Sequence, residues 1–160
     1  MGFRAGIGQD SHAFENEKEK PLMIGGIKVE GTNGLKGNSD ADVVLHALFN
    51  AISSACGKEG LGKYTDPMCI GQGITDSAEY MVWPKKFMKE KGLAIVNVSV
   101  SLECKKPEIL PVTEKMRERI AEIMEISKEQ VGITATSGEG LTAFGKGEGI
   151  MCTCIVLLEE

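Results

Sequence analysis

The stretch Asn38–Asn50, NSDADVVLHALFN, constrains this chain more than any other. Val43, Val44, Leu45, Ala47 and Leu48 make a helix that is apolar apart from one stripe, and such a helix has to be enclosed by the rest of the fold. Its start is expected near Ser39, with Asn38 or Ser39 capping the free N–H groups of the first turn. Asp40 and Asp42 then stand where the helix dipole favours negative charge. Asp42, His46 and Asn50 recur every four residues and share the polar stripe. His46 is one of two histidines; the other, His12, lies in Asp10-Ser11-His12, where an extended chain points Asp10 and His12 the same way. Asp-x-His with a distant helical His is a candidate three-donor metal site. The local pattern equally allows a surface Asp beside a partly buried His.

The 160-residue chain reads as one domain, 1–160. Phe3–Gln9 is expected as a strand whose small residues let other backbone come close. Leu22–Val29 is a second strand with a bulge at Gly25-Gly26, followed by a glycine-bearing loop into the central helix, which runs to Cys56 and stops at Gly57. Lys58–Thr75 is too broken by Gly and Pro for a regular element and is expected to be a functional loop. A helix capped by Asp76 or Ser77 should reach Lys91, end at Gly92 and be kinked or split by Pro84. Leu93–Glu103 is an alternating strand. A helix from Pro111 or Val112 to Ile126 carries the stripe Met116, Ile120, Ile123, Met124. Val131–Thr136 and Ile150–Leu158 are strands on either side of a glycine-rich run, which lacks the Lys-Ser ending of a P-loop. The fold class is α+β, a sandwich of one mixed β-sheet and a layer of helices.

A net charge of -5 argues against a general binder of nucleic acid or membrane surfaces, which would carry a basic face. There is no run of about 18 apolar residues and no signal-peptide pattern, so the expectation is a cytoplasmic protein. Five scattered cysteines suit reduced thiols. Cys152 and Cys154 alternate on one side of a strand and read as core thiols rather than a metal pair.

Four stretches in register resemble one family. They are Arg4-x-Gly6-x-Gly8-x-Asp10-x-His12-x-Phe14, Ile24-Gly25-Gly26-Ile27, Ser39-Asp40-x-Asp42-Val43-x-Leu45-His46-Ala47-Leu48 and Gly145-x-Gly147-Glu148-Gly149-Ile150. The family is the 2-C-methyl-D-erythritol 2,4-cyclodiphosphate synthases of non-mevalonate isoprenoid biosynthesis. The resemblance implies a homotrimer with active sites between subunits, and zinc on Asp10, His12 and His46. It implies an enzyme that cyclises a small-molecule cytidine diphosphate ester with release of CMP. Mg2+ or Mn2+ would come with the substrate, on Glu139. Asp42, Ser137 and Glu139 are the implied catalytic groups. Asn38, Ser39, Gly62 and Asp66 are the implied contacts to the methylerythritol phosphate end, and Cys104, Pro107, Leu110, Ala135 and Thr136 those to cytidine. The chain departs from the pattern at Asn38, Asn50 and Gly60, at Ser137 and Gly138, at Lys146, and at Gln9 and Ala143. Two alternatives follow: the same zinc site acting on another diphosphate or nucleotide ester, or a zinc-holding trimeric scaffold without catalysis.

Overall fold

A computed structural model describes residues 2–160. Strand β1 (Phe3–Ala13) is followed by β2 (Leu22–Ile24) and β3 (Ile27–Val29), then by helices α1 (Val43–Ala55), α2 (Leu61–Asp66), α3 (Ser77–Tyr80) and α4 (Val82–Lys91). After β4 (Ala94–Glu103) come α5 (Thr113–Met124), β5 (Val131–Thr136), the short α6 (Ala143–Lys146) and β6 (Gly149–Glu159). Four strands form a mixed sheet in the order β1-β6-β4-β5, parallel between β4 and β5 and antiparallel elsewhere. β2 and β3 form a separate hairpin.

The sheet and α1 are pressed together by the alternate glycines of β1. A Cβ on Gly6 would lie 2.0 Å from the Ala51 carbonyl oxygen, and one on Gly8 2.1 Å from that of Ala47. No side chain fits between strand and helix there, so the backbones themselves touch. α1 is correspondingly buried from Val43 through Phe49, and Val98, Val100, Leu102, Ile150, Cys152, Cys154 and Val156 meet it from the sheet. Burial pushes the Cys154 thiol up to about 12, in keeping with an inert core thiol. Phe49, Tyr64, Trp83 and Phe87 close the far side of α1 with an aromatic cluster. The other face of the sheet has no cover among the described residues: Phe3 and Ile7 are each 61% exposed and Ile155 49%.

Several expected boundaries change. α1 starts at Val43, not near Ser39, because Ala41 has φ 55 and breaks any helix before it. Asp42, not Asn38 or Ser39, is the cap. The expected single strand Leu22–Val29 is a hairpin whose turn residues Gly25 and Gly26 both have positive φ, 62 and 76, as a tight two-residue turn demands. Lys58–Thr75 is largely helical: α2 continues into a π-helical turn at Pro67–Gly71. The expected split in the next helix falls at Met81, just before Pro84. In β4 a bulge between Ile95 and Asn97 shifts the alternation, so Ile95 faces the core together with Val98 and Val100.

Candidate metal centre

Three donors converge where β1 passes the first turns of α1. The extended backbone of β1 puts Asp10 and His12 on its helix-facing side, in line with Gly6 and Gly8, and α1 brings His46 onto them. Asp10 Oδ2 lies 3.2 Å from His12 Nε2 and 3.0 Å from His46 Nδ1. Among the described residues this is the group of three possible metal donors within 4.8 Å of one another. Burial by itself raises the Asp10 pKa; the hydrogen bonds and charges of His12 and His46 outweigh it and hold the carboxyl at about 2. The same hydrogen bond from Asp10 raises His12 against the effect of burial.

His46 has a defined tautomer. Its Nε2 is 2.8 Å from Ser77 Oγ, and Ser77 Oγ donates its single hydrogen to Asp40 Oδ1. The Ser77 N–H donates to the other oxygen of Asp40, 2.9 Å away. With the hydroxyl proton spent on Asp40, Nε2 is the donor to Ser77; a neutral ring then turns its Nδ1 lone pair to Asp10, and the hydrogen bond to Asp10 forms when Nδ1 carries a second proton. A lone pair and a carboxylate oxygen at 3.0 Å need a proton or a cation between them. The donors fit a metal of the zinc type, for which ligand bonds of about 2.0 Å in a tetrahedron set donor spacings of roughly 3.3 Å.

Asp42 does not join this arrangement. This expected catalytic group is fully buried, and its carboxylate accepts from the N–H groups of Gly25, Gly26, Val44 and Leu45. It ties the β2–β3 turn to the start of α1, and Ser77 with Asp40 hold the histidine instead. Neither was singled out in the sequence for that task. Asp40 read as a first-turn acid and Ser77 as a helix cap, and their contact joins segments 37 residues apart.

The other expected contacts fall in three places. Asn38 and Ser39 line a cleft of about 520 Å³ beside the centre, together with Lys20, Asp40 and Thr75. Gly62 and Asp66 are exposed on α2. Cys104, Pro107, Leu110, Ala135, Thr136, Ser137 and Glu139 gather near the end of β5, where the Cys104 N–H donates to the Thr136 carbonyl and Leu110 stands 87% exposed. Ser137 Oγ accepts from the Glu139 N–H, and Glu139 has φ 51 with its side chain exposed. Among the described residues Glu139 belongs to no cluster of three donors.

The sheet register relates these places. Asp10 pairs with Cys152, Cys152 with Leu102, and Leu102 with Ala135. The metal centre and the β5 group are therefore at the same end of the sheet on its opposite edges, three strand spacings or roughly 14 Å apart.

Two of the departures have structural reasons. Gly138 has φ 74, and a Cβ on it would come 3.0 Å from Gly145 and closer still to Glu103. Asn50 Oδ1 accepts from the Leu61 N–H at 2.9 Å and so caps α2, with Gly60 directly against it.

Fold and site together define a small α+β protein with an Asp-His-His group able to hold a metal ion at one end of a mixed sheet. The YgbB family model matches residues 3–159, and the chain belongs to that family. A 2-C-methyl-D-erythritol 2,4-cyclodiphosphate synthase of Chlamydia trachomatis serovar D is 44% identical over 159 residues, 99% of this chain and 89% of the relative. One from Chlamydia felis is 43% identical, over 99% of this chain and 90% of the relative. Among solved structures, IspF from Plasmodium falciparum in complex with CDP superposes with a TM-score of 0.85 at 25% identity, covering 98% of this chain and 96% of that one. The Plasmodium vivax synthase gives 0.83 at 26%, covering 99% of each.

Proposed function

We propose that this chain is a cyclodiphosphate synthase, converting 4-diphosphocytidyl-2-C-methyl-D-erythritol 2-phosphate to 2-C-methyl-D-erythritol 2,4-cyclodiphosphate and CMP. An oxygen of the 2-phosphate attacks the phosphorus distal to cytidine; the bond from that phosphorus to the CMP oxygen breaks, and its electron pair leaves with CMP. Catalysis of this kind is mostly positioning and charge neutralisation. The observation that carries the reading is the convergence of Asp10 Oδ2, His12 Nε2 and a tautomerically fixed His46 Nδ1.

Asp10, His12 and His46 would hold zinc, which supplies a Lewis acid for a phosphate oxygen. Asn38, Ser39, Gly62 and Asp66 take the methylerythritol phosphate end, and Cys104, Pro107, Leu110, Ala135 and Thr136 take cytidine. Glu139, beside the Ser137 hydroxyl, would hold Mg2+ or Mn2+, which would neutralise charge on the substrate's phosphates. The exposed, left-handed placement of Glu139 supports a role toward a ligand rather than the core.

The active molecule in this reading is a cytoplasmic homotrimer. Head-to-tail closure brings one edge of a sheet to the opposite edge of the next, so the metal centre of one copy meets the cytidine group of its neighbour. The uncovered apolar sheet face supports such an assembly. The rival reading, another ester at the same centre, rests on Asn38, Asn50 and Gly60, and the capping bond from Leu61 to Asn50 gives the change at Asn50 a structural cause.

Phosphorus NMR of zinc-loaded protein with the cytidine substrate and magnesium tests the assignment. Equal amounts of CMP and a cyclic diphosphate are expected. A substrate left intact, with zinc bound, would overturn it and leave the rival ester and the scaffold readings.

A further inference from the structure

The cleft beside the metal centre has one half-buried cation, and its setting is unusual. Lys20 is fixed at its backbone: its N–H donates to Asn33 Oδ1 at 2.8 Å and its carbonyl accepts from the Gly34 N–H at 2.7 Å. Its ammonium donates to the carbonyls of Gly37 at 3.1 Å and Ser39 at 2.8 Å. Two of three protons are thereby used on neutral oxygens, and the charge is left without a counter-ion. Neighbouring lysines pair elsewhere, Lys28 with Glu30 and Lys36 with Glu17, while Lys20 forms no ion pair among the described residues. Burial depresses its pKa, opposed by the charge of Asp40. Glu19, Asp40 and Asp76 share the cleft, together with the exposed Lys18.

The cleft end that Lys20 holds is the metal end. A Cβ on Gly37, whose carbonyl Lys20 binds, would be 3.5 Å from His12 Cε1. A phosphate ester entering between Asn38 and the metal ligands thus meets Lys20 as the half-buried cation of the cleft, whose other ammonium, Lys18, is exposed. An unpaired, partly desolvated cation on a rigid backbone is a preorganised anion site.

We propose that Lys20 is a substrate-binding residue of this centre, its remaining ammonium proton holding a phosphate oxygen of a diphosphate or phosphate ester that reaches the metal ligands. The proposal rests on the functional reading above for the class of substrate. Its alternative is a purely structural one, in which Lys20 only staples the loop Gly37–Ser39.

The test is calorimetric binding of inorganic diphosphate to zinc-loaded protein, for wild type, Lys20→Met and Lys20→Arg, with melting temperature and zinc affinity measured alongside. Loss of a charge-assisted contact predicts binding at least about tenfold weaker in Lys20→Met, restored in large part by Lys20→Arg, with zinc affinity unchanged. Equal diphosphate binding in Lys20→Met overturns the proposal. So does a loss that appears only alongside falls in melting temperature and zinc affinity, which is the stapling outcome.

Reductive methylation of the wild type, mapped by mass spectrometry, supplies a measurement independent of the variants. Diphosphate should protect Lys20, and absence of protection counts against the site. CMP release separates the two readings: Lys20-dependent diphosphate binding without CMP release sinks the functional assignment alone. CMP release with the same KM in Lys20→Met sinks this inference alone.

Discussion

Ser77 lies 31 residues from His46 in the chain and one hydrogen bond away in space. Its hydroxyl, pinned by Asp40, is what makes His46 present Nδ1 to the centre. Partners of this kind typically contribute 10- to 100-fold in metal affinity. Ser77→Ala should weaken zinc binding by about that factor in chelator competition, and Ser77→Thr, which keeps the hydroxyl, should recover most of it. Unchanged affinity in Ser77→Ala would show that the tautomer does not depend on this bond. The ionisation of the centre gives a second prediction at the same scale. In metal-free protein the raised His12 contributes stability fully present below its ordinary 6.5 and lost as pH rises through its folded value. The depressed Asp10 contributes stability present above 3.8 and lost as pH falls toward about 2. The contribution of the pair is therefore greatest between about pH 4 and 6.5. Zinc competes with the proton on His12, so the rise in melting temperature caused by zinc should grow between pH 5.5 and 7.5. Scanning calorimetry with and without the metal checks it, and a zinc increment that shrinks over that range would contradict it.

Among the elements, the contact of β1 with α1 sets the position of the centre, because Gly6 and Gly8 let the strand carrying Asp10 and His12 approach the helix carrying His46. Gly8→Ala places a methyl 2.1 Å from the Ala47 oxygen and should cost about 3 kcal/mol or more in urea unfolding. A cost under about 1 kcal/mol would mean the two elements can separate freely. Much of this level was legible in the sequence: the buried helix, the close approach of small residues in β1, the amphipathic α5 and the stop at Gly92. The three metal donors were also visible as a pattern, through alternation in a strand and a histidine in an apolar helix. The helix start was not, because Ala41 adopts a left-handed conformation that its identity does not advertise. That shift makes Asp42 the cap of the helix. The Asp40–Ser77–His46 chain was hidden because it is purely tertiary, and local spacing carries no trace of it. The helical Lys58–Thr75 segment was masked by its glycines, whose low propensity is overridden by packing of Tyr64 onto Phe49, Trp83 and Phe87.

At the scale of the whole molecule, the open face of the sheet and the split between its two edges are the features a single chain leaves unused. Ile7 and Ile155 are direct cross-strand partners on that face. Ile155→Lys should yield a monomer by light scattering, with zinc affinity retained and CMP release lost, since each chain keeps its metal donors but not its neighbour's cytidine group. A variant that stays trimeric, or a monomer that still turns over, would contradict the composite site. The central claim is that Asp10, His12 and His46 form the metal centre on which turnover depends. Its most direct test is the rate of CMP release by metal-stripped protein as zinc is added back. The account predicts a rise that saturates at one zinc per chain, and a flat response in His46→Ala. Full-rate release without metal, or from His46→Ala, would contradict it.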